Sequence, residues 1–200
     1  MKKLLENEGT TRFIGVSILA GSLLLGLAGC GSGEAEDASP QTTTSTAEAS
    51  AEPEVKEFPA RFVRAVDGDT AEVQPVSEKT GDPEGEPVTV RLLGIDAPEM
   101  DQCGGPEAKA EFERIISPDA AVVVRYDEKA DRKDQHDRTL AYMYFGPSDL
   151  GTRLVSAGFA GAWYPSGEPE PKAFATYKTS ADAAKAQGKA SWAACGTLGR

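Results

Sequence analysis

The spacing of apolar positions along the 200 residues changes period several times, and each change marks a predicted element. Phe13 to Leu27 is an apolar stretch broken by Gly15, Gly21 and Gly26. Its fifteen residues are too few for an ordinary membrane span and suit the apolar region of an export signal. Residues 31 to 57 offer one β-branched aliphatic residue, Val55, and no aromatic, too little apolar surface to offset the entropy of ordering. This segment is predicted to be a tether, and as a flexible coil it would span roughly 30 Å. From Phe58 the pattern alternates: Phe58, Ala60, Phe62 and Val63 lead to Val66, and Asp67-Gly68-Asp69-Thr70 turns the chain into Ala71, Val73 and Val76. That is the signal of a β-hairpin.

A loop rich in Gly, Pro and Glu at residues 78 to 87 precedes Val88 to Ile95, which reads as one largely buried strand. Residues 106 to 116 open with Pro and Glu and set Ala108, Phe112, Ile115 and Ile116 at helical spacing. Ala121 to Tyr126 and Thr139 to Phe145 are predicted strands on either side of a charged loop, residues 127 to 138. Leu150 to Ala157 reads as a helix stopped by Gly158, and residues 171 to 188 as an Ala- and Lys-rich helix ending near Gly188. This order defines an α+β class. Five short strands so arranged suit a partly open, five-stranded barrel of the oligonucleotide-binding (OB-fold) type with about three α-helices.

Charge divides the chain in the same places. The net charge of −11 separates into +1 over residues 1–29, −6 over 30–57 and −6 over 58–200. Lys2, Lys3 and Arg12 precede the apolar stretch, and Leu27-Ala28-Gly29-Cys30 closes it. This resembles the lipobox of bacterial lipoproteins, where the signal is cut before a cysteine that then carries lipid. The resemblance implies a signal peptide at 1–29, lipid on Cys30, an acidic tether at 30–57, and a protein exported and anchored on the extracytoplasmic face of the bacterial cell membrane. A short membrane anchor with an incidental cysteine is the alternative. Each methylene buried in the membrane would add about 0.8 kcal/mol of anchoring.

His136 is the one histidine, which excludes a HExxH zinc site and any two-imidazole nuclease. No G-x-S-x-G elbow exists to present a serine nucleophile. Asp69 and Asp96 end two different segments, and carboxylate oxygens suit a hard cation such as Ca²⁺. Singly, each also reads as a turn residue. Glu99, three residues beyond Asp96, is near enough to hold a water and take its proton. Arg91, among Val90, Leu92 and Leu93, is costly to bury alone, so it is either a phosphate ligand or half of a structural Arg–Asp pair. Arg138 ends the charged loop, where a solvated arginine is the default.

Val66-Asp67-Gly68-Asp69-Thr70, Arg91-Leu92-Leu93-Gly94-Ile95-Asp96-Ala97-Pro98-Glu99, Asp134-Gln135-His136-Asp137-Arg138 and Leu140-Ala141-Tyr142 together resemble the thermonuclease (staphylococcal nuclease-like) family. The resemblance runs over about residues 58 to 192 and is most specific in R-L-x-x-I-D-x-P-E. It implies a nuclease domain at 58–198 that hydrolyses phosphodiesters of DNA and RNA and leaves 3′-phosphate ends. Calcium would be held by Asp69, Asp96 and the backbone carbonyl of Ala97. Glu99 would assist the attack of water, and Arg91 and Arg138 would stabilise the phosphoryl transition state. His136 stands where family members commonly carry a tyrosine that contacts a terminal phosphate. Tyr164 matches a base-stacking tyrosine, and Lys133 is a further substrate-binding candidate.

The domain's net charge of −6 runs against the basic face usual in nucleic-acid binding. Positive charge is therefore expected locally, from Arg125, Lys129, Arg132, Lys133 and Arg138. Weak, salt-sensitive binding of single-stranded or frayed substrate by a monomer is the expectation. Cys103 and Cys195 remain after lipidation, and an even count in an exported chain invites a disulfide. The rival reading is a catalytically inactive OB-fold lipoprotein that binds nucleic acid or protein at the surface.

Overall fold

A computed structural model describes residues 56–198; the predicted signal, Cys30 and most of the tether lie outside the described residues. Alternation builds the first hairpin as expected. β1 (Glu57–Ala65) buries Ala60 and Phe62, and an irregularity between Phe62 and Arg64 resets the parity so that Ala65 also faces inward. β2 (Thr70–Pro75) pairs antiparallel with β1, and β3 (Val88–Leu92) pairs antiparallel with β2.

The predicted strand over 88–95 is two strands. Gly94, at φ +82°, reverses the chain after Leu93, so β4 (Ile95–Asp96) leaves the barrel. A glycine suits that backbone, which side chains with a Cβ rarely adopt. α1 (Gly105–Ile115) begins one residue before its predicted start and buries Ala108, Phe112 and Ile115, with the Phe112 ring 5.8 Å from that of Phe62. β5 (Ala121–Arg125) pairs with β1, and β6 (Thr139–Phe145) pairs with β5.

β6 also pairs in parallel with β3, setting Arg91 opposite Leu140. That pairing closes the five strands in the order β3-β2-β1-β5-β6, so the barrel is closed where the sequence suggested a partly open one. β7 (Ser148–Asp149) extends the sheet beside β6 and leads into α2 (Leu150–Ala157). The Asp149 carboxylate caps α2 by accepting the Gly151 and Thr152 N–H groups, and Gly158, at φ +88°, ends it as expected. β8 (Gly161–Ala162) pairs with β4. α3 (Phe174–Ala186) falls inside its predicted span. A further helix, α4 (Ser191–Cys195), was not predicted; the described residues hold four helices where about three were expected.

Candidate active site

Two tight turns bring residues far apart in sequence to one buried knot. The first is the β1–β2 turn, where Asp67 Oδ1 accepts the Asp69 N–H at 2.9 Å. A Cβ at Gly68 would stand 2.6 Å from Ala108 Cβ and 2.7 Å from Ala97 Cβ, so only glycine lets this turn lie against both segments. The second is the Gly94 reversal, which carries Asp96 back toward the strand it has just left.

Arg91 joins the two turns. Its Nε lies 2.9 Å from Asp69 Oδ1, and its Nη2 lies 2.9 Å from Asp96 Oδ1. Its Nη1 donates to the carbonyls of Leu92 at 2.7 Å and Ile95 at 2.8 Å. Four of the five guanidinium N–H groups are thus used, and one on Nη2 remains for another acceptor. Asp69 Oδ2 accepts the Ala97 N–H at 2.6 Å, and Asp69 Oδ1 accepts the Thr70 hydroxyl at 3.1 Å.

Burial pushes the Asp69 carboxyl up to about 7; Arg91 opposes that rise, while Asp67 and Asp96 add to it. The knot therefore gathers more negative charge than one guanidinium balances. The Asp69 and Asp96 carboxylates are the kind of oxygen group that a hard divalent cation such as calcium takes, and among the described residues no group of three or more carboxylate, histidine or cysteine ligands accompanies them.

Arg91 also lines a groove of about 420 Å³, together with Arg138, Lys133, His136, Tyr164 and Trp163. The parallel β3–β6 pairing is what puts Arg91 and Arg138 on the same groove, because Arg138 precedes β6 by one residue. Asp134 holds Arg138 in place: its Oδ2 accepts from Arg138 Nε at 2.7 Å and its Oδ1 from the Arg138 N–H at 3.0 Å. The same Oδ1 accepts the His136 N–H at 2.9 Å. Burial works against charge on Asp134, but these bonds outweigh it and hold the carboxyl below its usual range. Asp137, at φ +62°, makes the loop tight enough for this, and Lys133 pairs with it at 2.5 Å.

Trp163, whose N–H donates to the Gly94 carbonyl at 3.0 Å, continues the chain from β8 onto the groove wall. Beside it the Tyr164 ring meets Phe174 edge to face, 4.6 Å between centroids. A second groove of about 770 Å³ shares Lys133, His136 and Arg138 with the first and runs past Phe58 and Tyr126.

Five residues singled out from sequence, Arg91, Arg138, His136, Tyr164 and Lys133, therefore share the first groove. Asp69, Asp96 and Ala97 reach it through Arg91 rather than by lining it. Exposed Glu99 follows on the chain after Asp96-Ala97-Pro98 and is not part of the groove wall. The expected basic cluster is smaller than the sequence suggested. Arg125 pairs with Glu57 at 2.6 Å and covers the Tyr144 ring, and Arg132 covers the Tyr126 ring at 4.3 Å. Only Lys133 and Arg138 of that group line the first groove. Trp163 and Asp134 were not picked out, although Asp134 stood inside a quoted motif and Trp163 beside Tyr164. Cys103 and Cys195 are bonded, with Cα atoms 5.8 Å apart.

A closed five-stranded barrel with helices, carrying two arginines on one groove and two aspartates behind one of them, is a staphylococcal-nuclease-like OB-fold domain. A model of the staphylococcal nuclease homologue family matches residues 89–194, and the chain belongs to that family. The match takes in Arg91, Asp96, Glu99, Arg138 and Tyr164 and begins after Asp69. The chain is 32% identical over 108 residues to a thermonuclease of Staphylococcus intermedius, covering 51% of this chain and 58% of that protein. It is 28% identical over 107 residues to a thermonuclease of Staphylococcus hyicus, covering 51% and 57%. An uncharacterized endonuclease of Haemophilus influenzae is 31% identical over 103 residues, covering 52% and 51%. The chain thus spans a little over half the length of these curated relatives.

Proposed function

We propose that this domain is a calcium-dependent phosphodiesterase acting on DNA and RNA. The observation that carries the reading is the pair of arginines on one groove, with Asp69 and Asp96 held against one of them. Asp69, Asp96 and the Ala97 carbonyl would hold the calcium ion, which when bound polarises a phosphoryl oxygen. Arg91 donates its remaining Nη2 N–H to the scissile phosphate. Arg138, with Nε already committed to Asp134, offers its two terminal nitrogens to the same phosphate. Charge that grows on the equatorial oxygens as water attacks is met by these fixed donors. Glu99 takes the proton of the attacking water as its oxygen bonds to phosphorus, the bond from phosphorus to the 5′-oxygen breaks, that oxygen leaves as a 5′-hydroxyl with a proton from solvent, and a 3′-phosphate remains.

Trp163 and Tyr164 on the groove wall would stack against an unpaired base, and Lys133 and His136 on the same wall would flank the strand. An acidic domain with so few groove cations favours single-stranded or frayed substrate at low salt. The sequence of residues 1–57 supports export and anchoring by lipid on Cys30 at the outer face of the cell membrane. Hydrolysis of labelled single-stranded DNA by the full chain, in calcium and in excess EGTA, tests the proposal beside Glu99→Gln. Cleavage in calcium, abolished by EGTA and reduced about 100-fold or more in the variant, is expected. Binding of the oligonucleotide with no cleavage would instead make this a catalytically silent binding module.

A further inference from the structure

Glu99 is exposed and stands on the connection between β4 and α1. The backbone at residue 99 is the root from which the carboxylate reaches, so what holds that backbone helps set where the carboxylate stands. Gln102 holds it from both sides. The Gln102 Oε1 accepts the Glu99 N–H at 3.1 Å, and the Gln102 N–H donates to the Glu99 carbonyl at 2.9 Å. The next residue, Cys103, is bonded to Cys195 of α4, 92 positions later.

The two glycines that follow close the connection. A Cβ at Gly105 would stand 1.9 Å from the Glu99 carbonyl oxygen, so the backbone at 105 lies directly on that of Glu99. A Cβ at Gly104 would stand 2.8 Å from Ser191 Oγ, so α4 lies on the other side. Ser191 is buried, and its N–H donates to the carbonyl of Gly158 at the end of α2 at 3.2 Å. The segment bearing Glu99 is therefore fixed by a hydrogen-bonded turn, by glycine contacts and by a covalent bond to a helix that rests on the body of the domain. None of the hydrogen bonds among Asp69, Arg91 and Asp96 passes through this segment.

We infer that Gln102 and the Cys103–Cys195 bridge are positioning elements for Glu99, setting turnover while leaving substrate binding to the groove. This rests on Glu99 acting as the proton acceptor proposed above. Misplacing a reacting group by about an ångström costs rate steeply, and the two arginines that face the groove stand on β3 and just before β6, which the bridge does not join. Cys103 is an exposed residue, and reduction of the bond would release this hold on the segment that bears Glu99. Turnover thus becomes a function of the bridge's oxidation state.

The test is steady-state cleavage of labelled single-stranded DNA in calcium, at a temperature where circular dichroism shows every variant folded. Cys103→Ala/Cys195→Ala and, separately, Gln102→Ala are each made in the parent and in the Glu99→Gln background. Each is expected to lower kcat about tenfold or more in the parent with KM changed less than about twofold. In the Glu99→Gln background the same changes are expected to leave the residual rate within about twofold, because their target is already gone. Gln102→Ala keeps the bridge and serves where the double variant does not fold. Parental kcat in the bridge and Gln102 variants, or equal losses in both backgrounds, overturns the inference while Glu99→Gln stays about 100-fold or more below the parent. Parental turnover by Glu99→Gln overturns the proton-acceptor reading and this inference with it.

Discussion

Asp69 and Asp127 are almost equally shut off from solvent, at 5% and 4% exposure, yet their surroundings treat charge in opposite ways. Asp127 Oδ2 accepts the Tyr142 hydroxyl at 2.5 Å and the Lys172 N–H at 2.7 Å, and its Oδ1 accepts the Lys129 N–H at 2.9 Å. Burial pushes its carboxyl up, but these donors outweigh that and hold it below the usual range. Asp69 lies under a thicker cover of protein and next to other carboxylates, and for it burial wins even with Arg91 alongside. Donors that carry little charge of their own can fully satisfy a buried carboxylate and make it a structural fastener. A carboxylate crowded by its own kind remains short of positive charge, which suits a place where a cation and a phosphate are to meet.

The contrast is broken most forcefully at Arg91. Arg91→Ala is expected to lower phosphodiester cleavage by about 10²- to 10³-fold and to destabilise the domain by about 3 kcal/mol, because it leaves two buried carboxylates without their shared cation. Rates on single-stranded DNA and urea unfolding read the two effects. The buried bridge to Asp69 and Asp96 is the reason for the loss of stability. Asp127→Asn is expected to do the reverse, costing about 2 kcal/mol in urea unfolding while turnover stays within about twofold of the parent. A loss of turnover comparable to that of Arg91→Ala would erase the distinction between the two sites.

The smallest effect lies in the pH dependence of stability. Asp69 has a folded value of about 7, above its ordinary 3.8, so its contribution is fully present below pH 3.8 and is lost as pH rises through 7. Asp127 lies below 3.8 when folded, so its contribution is present above pH 3.8 and is lost as pH falls through the folded value. The unfolding free energy read from urea melts in a chelating buffer should therefore fall between pH 4 and 7, and Asp69→Asn should flatten that drift. Asp127→Asn should flatten only the fall at acid pH. A drift between pH 4 and 7 that survives Asp69→Asn would place its origin elsewhere.

The elements most legible in the sequence were those whose cause is local. The β1–β2 hairpin announced itself through alternation and Asp67-Gly68-Asp69, and α2 through its glycine stop at Gly158. The break at Gly94 was hidden because Val88 to Ile95 is apolar throughout, and a buried strand and a strand with a reversal share that pattern. α4 was hidden because five residues give no helical period, and its place is set by Ser191 and by the bond to Cys103. At the site, residue types and order were legible, but the sharing of Arg91 between Asp69 and Asp96 depends on two turns and on strand pairing across the barrel. The parallel closure between β3 and β6, which gathers Arg91 and Arg138, leaves no mark in either strand.

The bond between Cys103 and Cys195 also changes what pulling on this chain can do. The residues between the two cysteines form a closed ring that cannot be drawn out, withholding roughly 310 Å of contour at about 3.4 Å per residue. Asp69, Arg91, Asp96 and Glu99 lie on the arm that tension at the N-terminal side would strip away first, while Arg138 and Tyr164 stay inside the ring. Under load, the oxidised domain would come apart at its centre of chemistry before its second half could be extended at all.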